Sequence, residues 1–68
     1  MKVYRTKYHK NPILIFESKD RKECNNAIQK DYTSRGEKSY YWNMYSPEEG
    51  LTVIDYGSYS IFYHIREE

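Results

Sequence analysis

The sequence predicts a two-layer α+β domain, one helix packed on an antiparallel-rich sheet, in the order β-β-α-β-β-β. Three observations carry this. Side chains alternate with a period of two near both ends of the chain. Between residues 24 and 32 the apolar spacing changes to three and four. Every glycine and proline falls between these stretches.

Residues 3–8 set Tyr4, Thr6 and Tyr8 against Arg5 and Lys7, the pattern of a half-exposed strand. Residues 9–12 break it: Pro12 has no backbone donor, and Asn11 before it is pushed toward extended geometry. Ile13, Leu14, Ile15 and Phe16 then read as a second strand, expected to form a hairpin with the first. Ser18 is the expected helix N-cap, with Asp20 in the first turn where the helix dipole favours an anion. Cys24, Ala27, Ile28 and Tyr32 form one apolar stripe on an otherwise charged helix over residues 19–34, and Gly36 is a natural stop.

Beyond Gly36 the period returns to two. Tyr40, Trp42 and Met44 are expected on one face of a strand, with Tyr41, Asn43 and Tyr45 on the other. Residues 46–50 read as a turn, residues 51–56 as a strand, Gly57 and Ser58 as a tight turn, and residues 59–65 as the last strand. The register of that hairpin is open in the sequence. A three-residue loop places Leu51, Val53, Ile61, Tyr63 and Ile65 on the core side. A two-residue loop places Ile54, Ile61 and Ile65 there, and leaves Leu51, Val53 and Phe62 on the reverse.

At 68 residues the chain is expected to be a single domain, 1–68. Its ten Ile, Leu and Val residues are outnumbered by twelve aromatic ones, nine of them Tyr, so the core must be built largely from rings whose hydroxyls need partners. Few Gly and Pro, many aromatics and a net charge of +1 oppose disorder. No apolar run approaches the ~20 residues of a membrane span, and no secretory signal follows the basic start. The one cysteine, Cys24, permits no internal disulfide and points to a reducing cytoplasm. Charge is uneven: residues 1–38 carry ten basic and five acidic groups, residues 39–68 one and five. Lys, Asn, Tyr, Ile and Phe, all with A/T-rich codons, supply 28 residues. In size and composition the chain is similar to the small accessory proteins of phages of low-GC bacteria, which commonly bind and modulate a host protein.

Nothing in the sequence points to catalysis. Cys24 lies on the apolar stripe and reads as a structural thiol. His9 and His64 stand far apart in sequence and form no paired ligand motif, so no metal is expected. The glycines build no phosphate loop, and Glu48 and Glu49 lie in a solvated turn. No cofactor and no small-molecule substrate are expected.

One helix with one apolar stripe covers one sheet face. In either register the other face keeps Phe62 and at least one aliphatic residue, and Tyr41 and Tyr45 extend it. The sequence therefore predicts a non-catalytic binding protein that docks a protein partner, or a second copy, through an aromatic sheet face. Tyr41, Tyr45 and Phe62 are the expected anchors, and Arg5 and Lys7 the rim charges if the first strand lies alongside. The alternative is a nucleic-acid-binding sheet, in which the same rings stack bases and the N-terminal cations neutralise phosphates.

Overall fold

The computed structural model describes residues 1–67. Five strands and one helix follow the order β1 (Lys2–Lys7), β2 (Lys10–Glu17), α1 (Arg21–Ser34), β3 (Asn43–Glu48), β4 (Leu51–Asp55) and β5 (Ile61–Arg66). They form the expected α+β architecture. All strand pairs are antiparallel, and the spatial order is β2-β1-β5-β4-β3. The first and last strands are thus neighbours at the centre, and the segment containing α1 links one edge of the sheet to the other.

Several boundaries differ from expectation, each for a local reason. The first chain reversal is at Tyr8 and His9, both with positive φ (55° and 62°), and β2 already starts at Lys10. Two left-handed residues make the tight hairpin turn whose twist matches that of the strands, although neither is Gly, Asn or Asp. β2 tolerates Pro12 because it is an edge strand, and its pairing with β1 is irregular on both sides of Arg5; Asn11 before the proline is left-handed at φ 50° rather than extended, a conformation asparagine tolerates. The helix N-cap is Asp20 rather than Ser18: its carboxylate accepts from the Lys22 N–H at 2.9 Å. Ser18 supports the entry instead, its hydroxyl accepting from the Asp20 N–H and donating to Glu23. Gly36 ends the helix as expected. At φ +77° it lets Gly36 and Glu37 donate back to the Thr33 and Tyr32 carbonyls, the paired closure that favours glycine. β3 starts at Asn43 and runs through Pro47 to Glu48, so the reversal is Glu49–Gly50 rather than all of 46–50. The connection from β4 to β5 spans residues 56–60, and β5 starts at Ile61 rather than residue 59.

The register of that last pair puts Ile54 opposite Tyr63 and Val53 opposite His64. This is the parity of the two-residue-loop alternative, reached with a longer loop. Ile54, Ile61, Tyr63 and Ile65 face the helix; Leu51, Val53, Phe62 and His64 face away. The core consists of Val3, Cys24, Ile28, Tyr32, Ile54, Tyr56, Tyr63 and Ile65, with Ile15, Phe16, Trp42 and Ile61 packed around it. Fully burying a side chain such as Ile28 or Ile54 contributes about 1.5–3 kcal/mol.

Three of the core residues are tyrosines, and the fold satisfies two of their hydroxyls with one ionic network at the rim. Tyr32 and Tyr56 stack at 4.6 Å between centroids. Tyr56 donates to Glu37, and Tyr63 to Asp31 at 2.6 Å. Arg35 reaches both phenol oxygens and Glu37, while Arg5 donates to Asp31 at 2.9 Å. Burial and then the bond to Asp31 push the Tyr63 phenol well above its usual value. Burial opposes ionisation of Asp31, but hydrogen bonds from Tyr63, Arg35 and Arg5 hold its carboxyl below the usual range. Glu37 is lowered in the same sense, chiefly by the Tyr56 hydroxyl.

Candidate functional site

The sheet face turned away from the helix is built by strict alternation. One cross-strand row runs over all five strands as Leu14, Tyr4, His64, Val53 and Tyr45, each residue registered with the next. Thr6 and Phe62 form a second registered pair on this side. Tyr45 is 45% exposed, Tyr41 54% and Leu14 50%, whereas Val53 between the rings is buried. Tyr41 extends the surface beyond the start of β3, and its hydroxyl donates to Asp55 at 3.0 Å. That bond, with a smaller contribution from desolvation, raises the Tyr41 phenol above its ordinary value.

Two devices shield Leu51 and Phe62 on this face without a second layer. Leu51 is registered between Glu48 and Arg66, and these two side chains approach to 3.9 Å across it. At Phe62 the cover is the Tyr8–His9 turn. The His9 ring stacks on Phe62 with centroids 4.1 Å apart, and its Nδ1 lies 3.0 Å from His64 Nε2. The turn is held from the side as well: the Tyr8 N–H donates to the Ser60 carbonyl at 2.7 Å, and the Tyr8 and Tyr59 rings meet edge-on. Each left-handed non-glycine residue costs about 1–2 kcal/mol, so these contacts are what maintain the turn. Beside it lies an open pocket of about 270 Å³ lined by Tyr4, Thr6, His9, Pro12, His64 and Arg66.

The expected anchors Tyr41, Tyr45 and Phe62 therefore share this side, the tyrosines open and Phe62 half-buried under His9. The expected rim charges do not. β1 does lie beside β5, but Arg5 is registered with Tyr63 and Lys7 with Ile61, so both belong to the helix side. Arg5 is further committed there to Asp31. A shift of one residue moves a side chain to the opposite face, and the position of β1 did not determine that parity. Sequence reasoning also missed His9, Tyr4 and Leu14 as parts of this surface. The alternation in β5 is enough to place His64 beside Phe62, but no local signal brings His9 to them.

The other reactive groups are held structurally. Cys24 is fully buried, and burial pushes its thiol up. Asp55 accepts from Tyr41 and from the Gly57 N–H, and neither partner is a histidine. Between β2 and α1 runs an open groove of about 470 Å³ lined by Ile15, Phe16, Glu23, Asn26, Ala27, Lys30 and Asp31. No helix among the described residues is long and apolar enough to cross a membrane. No family model, curated protein or solved structure matches the chain.

Proposed function

We propose that the chain is a small non-catalytic binding protein that docks a protein partner through the sheet face opposite α1, and that it works in the cytoplasm as an accessory protein modulating its target. The observation that carries this is the half-exposed Tyr41 and Tyr45 on the same uncovered side as Phe62. Tyrosines of this kind supply large contact area with few rotatable bonds and are enriched at interface centres. Tyr41 and Tyr45 stand together at one end of a cross-strand row that also holds Tyr4 and His64, whereas an isolated exposed ring would need no explanation. The placement of Arg5 and Lys7 on the helix side favours a protein over a nucleic acid, because two of the cations expected to meet phosphates leave this face, and Arg66, which borders the rings, is turned to Glu48.

The test is capture of partners from a lysate of the native host by the wild-type chain and by Tyr41→Ala/Tyr45→Ala, followed by mass spectrometry. Both rings are solvent-exposed, so the double variant is expected to fold. Its loss of a protein that the wild type retains supports the reading, and Phe62→Ala should weaken binding to that protein by more than about 1 kcal/mol. Equal capture by both chains overturns it. Retention of DNA or RNA that falls steeply with added salt would point to the nucleic-acid alternative instead.

A further inference from the structure

The His9–His64 contact joins two groups that can share it only while at least one ring is neutral. At 3.0 Å between Nδ1 and Nε2, one nitrogen must donate a proton and the other accept it. When both rings are charged, neither nitrogen accepts, and two cations face each other at hydrogen-bond distance. The neighbouring side chains add no counter-charge to this exposed pair. Tyr4 from β1 is registered with His64, Pro12 comes from β2, and Val53 from β4 carries no charge. The charged neighbour is Arg66, a third cation, and Glu48 is already turned to it at 3.9 Å. Among the described residues no third histidine, cysteine or carboxylate joins the pair to make a metal-binding group.

The His9 side chain is exposed on its turn, so its ring can swing away while the backbone stays in place. The His9 ring is held down by the Phe62 stack and the bond to His64, whereas the backbone of the turn is held by the Tyr8 N–H bond to the Ser60 carbonyl and by the Tyr8–Tyr59 contact. Losing the bond to His64 removes the polar part of the cover and sets repulsion in its place.

We infer that the His9–His64 contact is an acid-released latch: double protonation drives the His9 ring off Phe62 and opens the Phe62 ring to solvent. Burial, then His9 and Arg66, hold His64 below the ordinary histidine value of 6.5, as a neutral ring in a closed latch requires. The sign follows. His64 is neutral in the closed form above pH 6.5, and closure weakens as the pH falls through its depressed value. That the opened ring then binds a partner better rests on the docking role proposed above; the latch itself does not.

The experiment is a histidine-ring NMR titration of the full chain from pH 8 to pH 5. At pH 8 the His9 ring protons should lie upfield, shielded by the Phe62 ring. That shielding should be lost in the same transition that protonates His64. In His9→Gln the His64 midpoint should move up but stay below 6.5, because burial and Arg66 still depress it while the repulsion from His9 is gone. Persistence of the His9 shielding at the acid end of the titration overturns the latch. So does a His64 midpoint unmoved in His9→Gln. A partner recovered by capture should bind more tightly at pH 5.5 than at pH 7.5. If it does not while the NMR transition occurs, the docking role of Phe62 fails and the latch stands.

Discussion

The Tyr63 hydroxyl donates to the Asp31 carboxylate at 2.6 Å, tying the central strand β5 to the helix through two residues that are 32 positions apart. Asp31 also binds Arg5 of β1 and Arg35 beyond the helix end, so one carboxylate joins four segments. Tyr63→Phe keeps the ring and removes the donor. It should destabilise the domain by about 1–2 kcal/mol, read as a lower urea midpoint with an unchanged slope.

Acid should erode the same junction. Asp31 and Glu37 both sit below their ordinary values of 3.8 and 4.5 in the folded chain. A carboxylate with a depressed native pKa contributes stability that is fully present above its unfolded value and lost as the pH falls through the native one. Urea midpoints should therefore decline from about pH 4 downward, and Asp31→Asn should flatten that decline while lowering stability at pH 7.

Arg5 and Lys7 test which face each side chain serves. Arg5→Gln removes a partner from Asp31 and should lower the urea midpoint. Exposed Lys7 makes no bond to that network, and Lys7→Gln should change stability by no more than about 0.5 kcal/mol. Neither change should alter binding through the opposite face, as measured with any captured partner.

Gly57 is the least replaceable glycine. At φ +100° it occupies a conformation that side chains rarely adopt, and a Cβ there would lie 2.9 Å from Tyr40 Cβ and 3.3 Å from the Tyr40 amide nitrogen. That amide is itself fixed by donation to the Tyr56 carbonyl at 3.0 Å, so the neighbour cannot yield freely. Gly57→Ala should cost more than about 1 kcal/mol. Gly50→Ala meets only the Glu67 carbonyl at 3.8 Å and should cost less in the same unfolding assay.

Cys24 has no exposed surface, and burial raises its thiol pKa. Under native conditions an aromatic disulfide reagent should label it only through opening of the fold, at a rate that rises with urea. Fast labelling in buffer would contradict its place in the core.

The sequence by itself determined the element types, their order and the single apolar stripe of α1, because these follow from local periodicity and from glycines that stop or turn the chain. It also determined that tyrosines would enter the core and that Tyr41 and Tyr45 would share a face. Strand order, the parity of β1 and the Tyr8–His9 turn were decided only in three dimensions. Nothing near Arg5 states that Asp31 and Tyr63 will lie beside it, and nothing in a Tyr-His pair marks a turn that ordinarily wants glycine or asparagine. Pairing across more than 50 residues, between Thr6 and Phe62 or His9 and His64, is set by which strands become neighbours, and that choice belongs to the packed core as a whole.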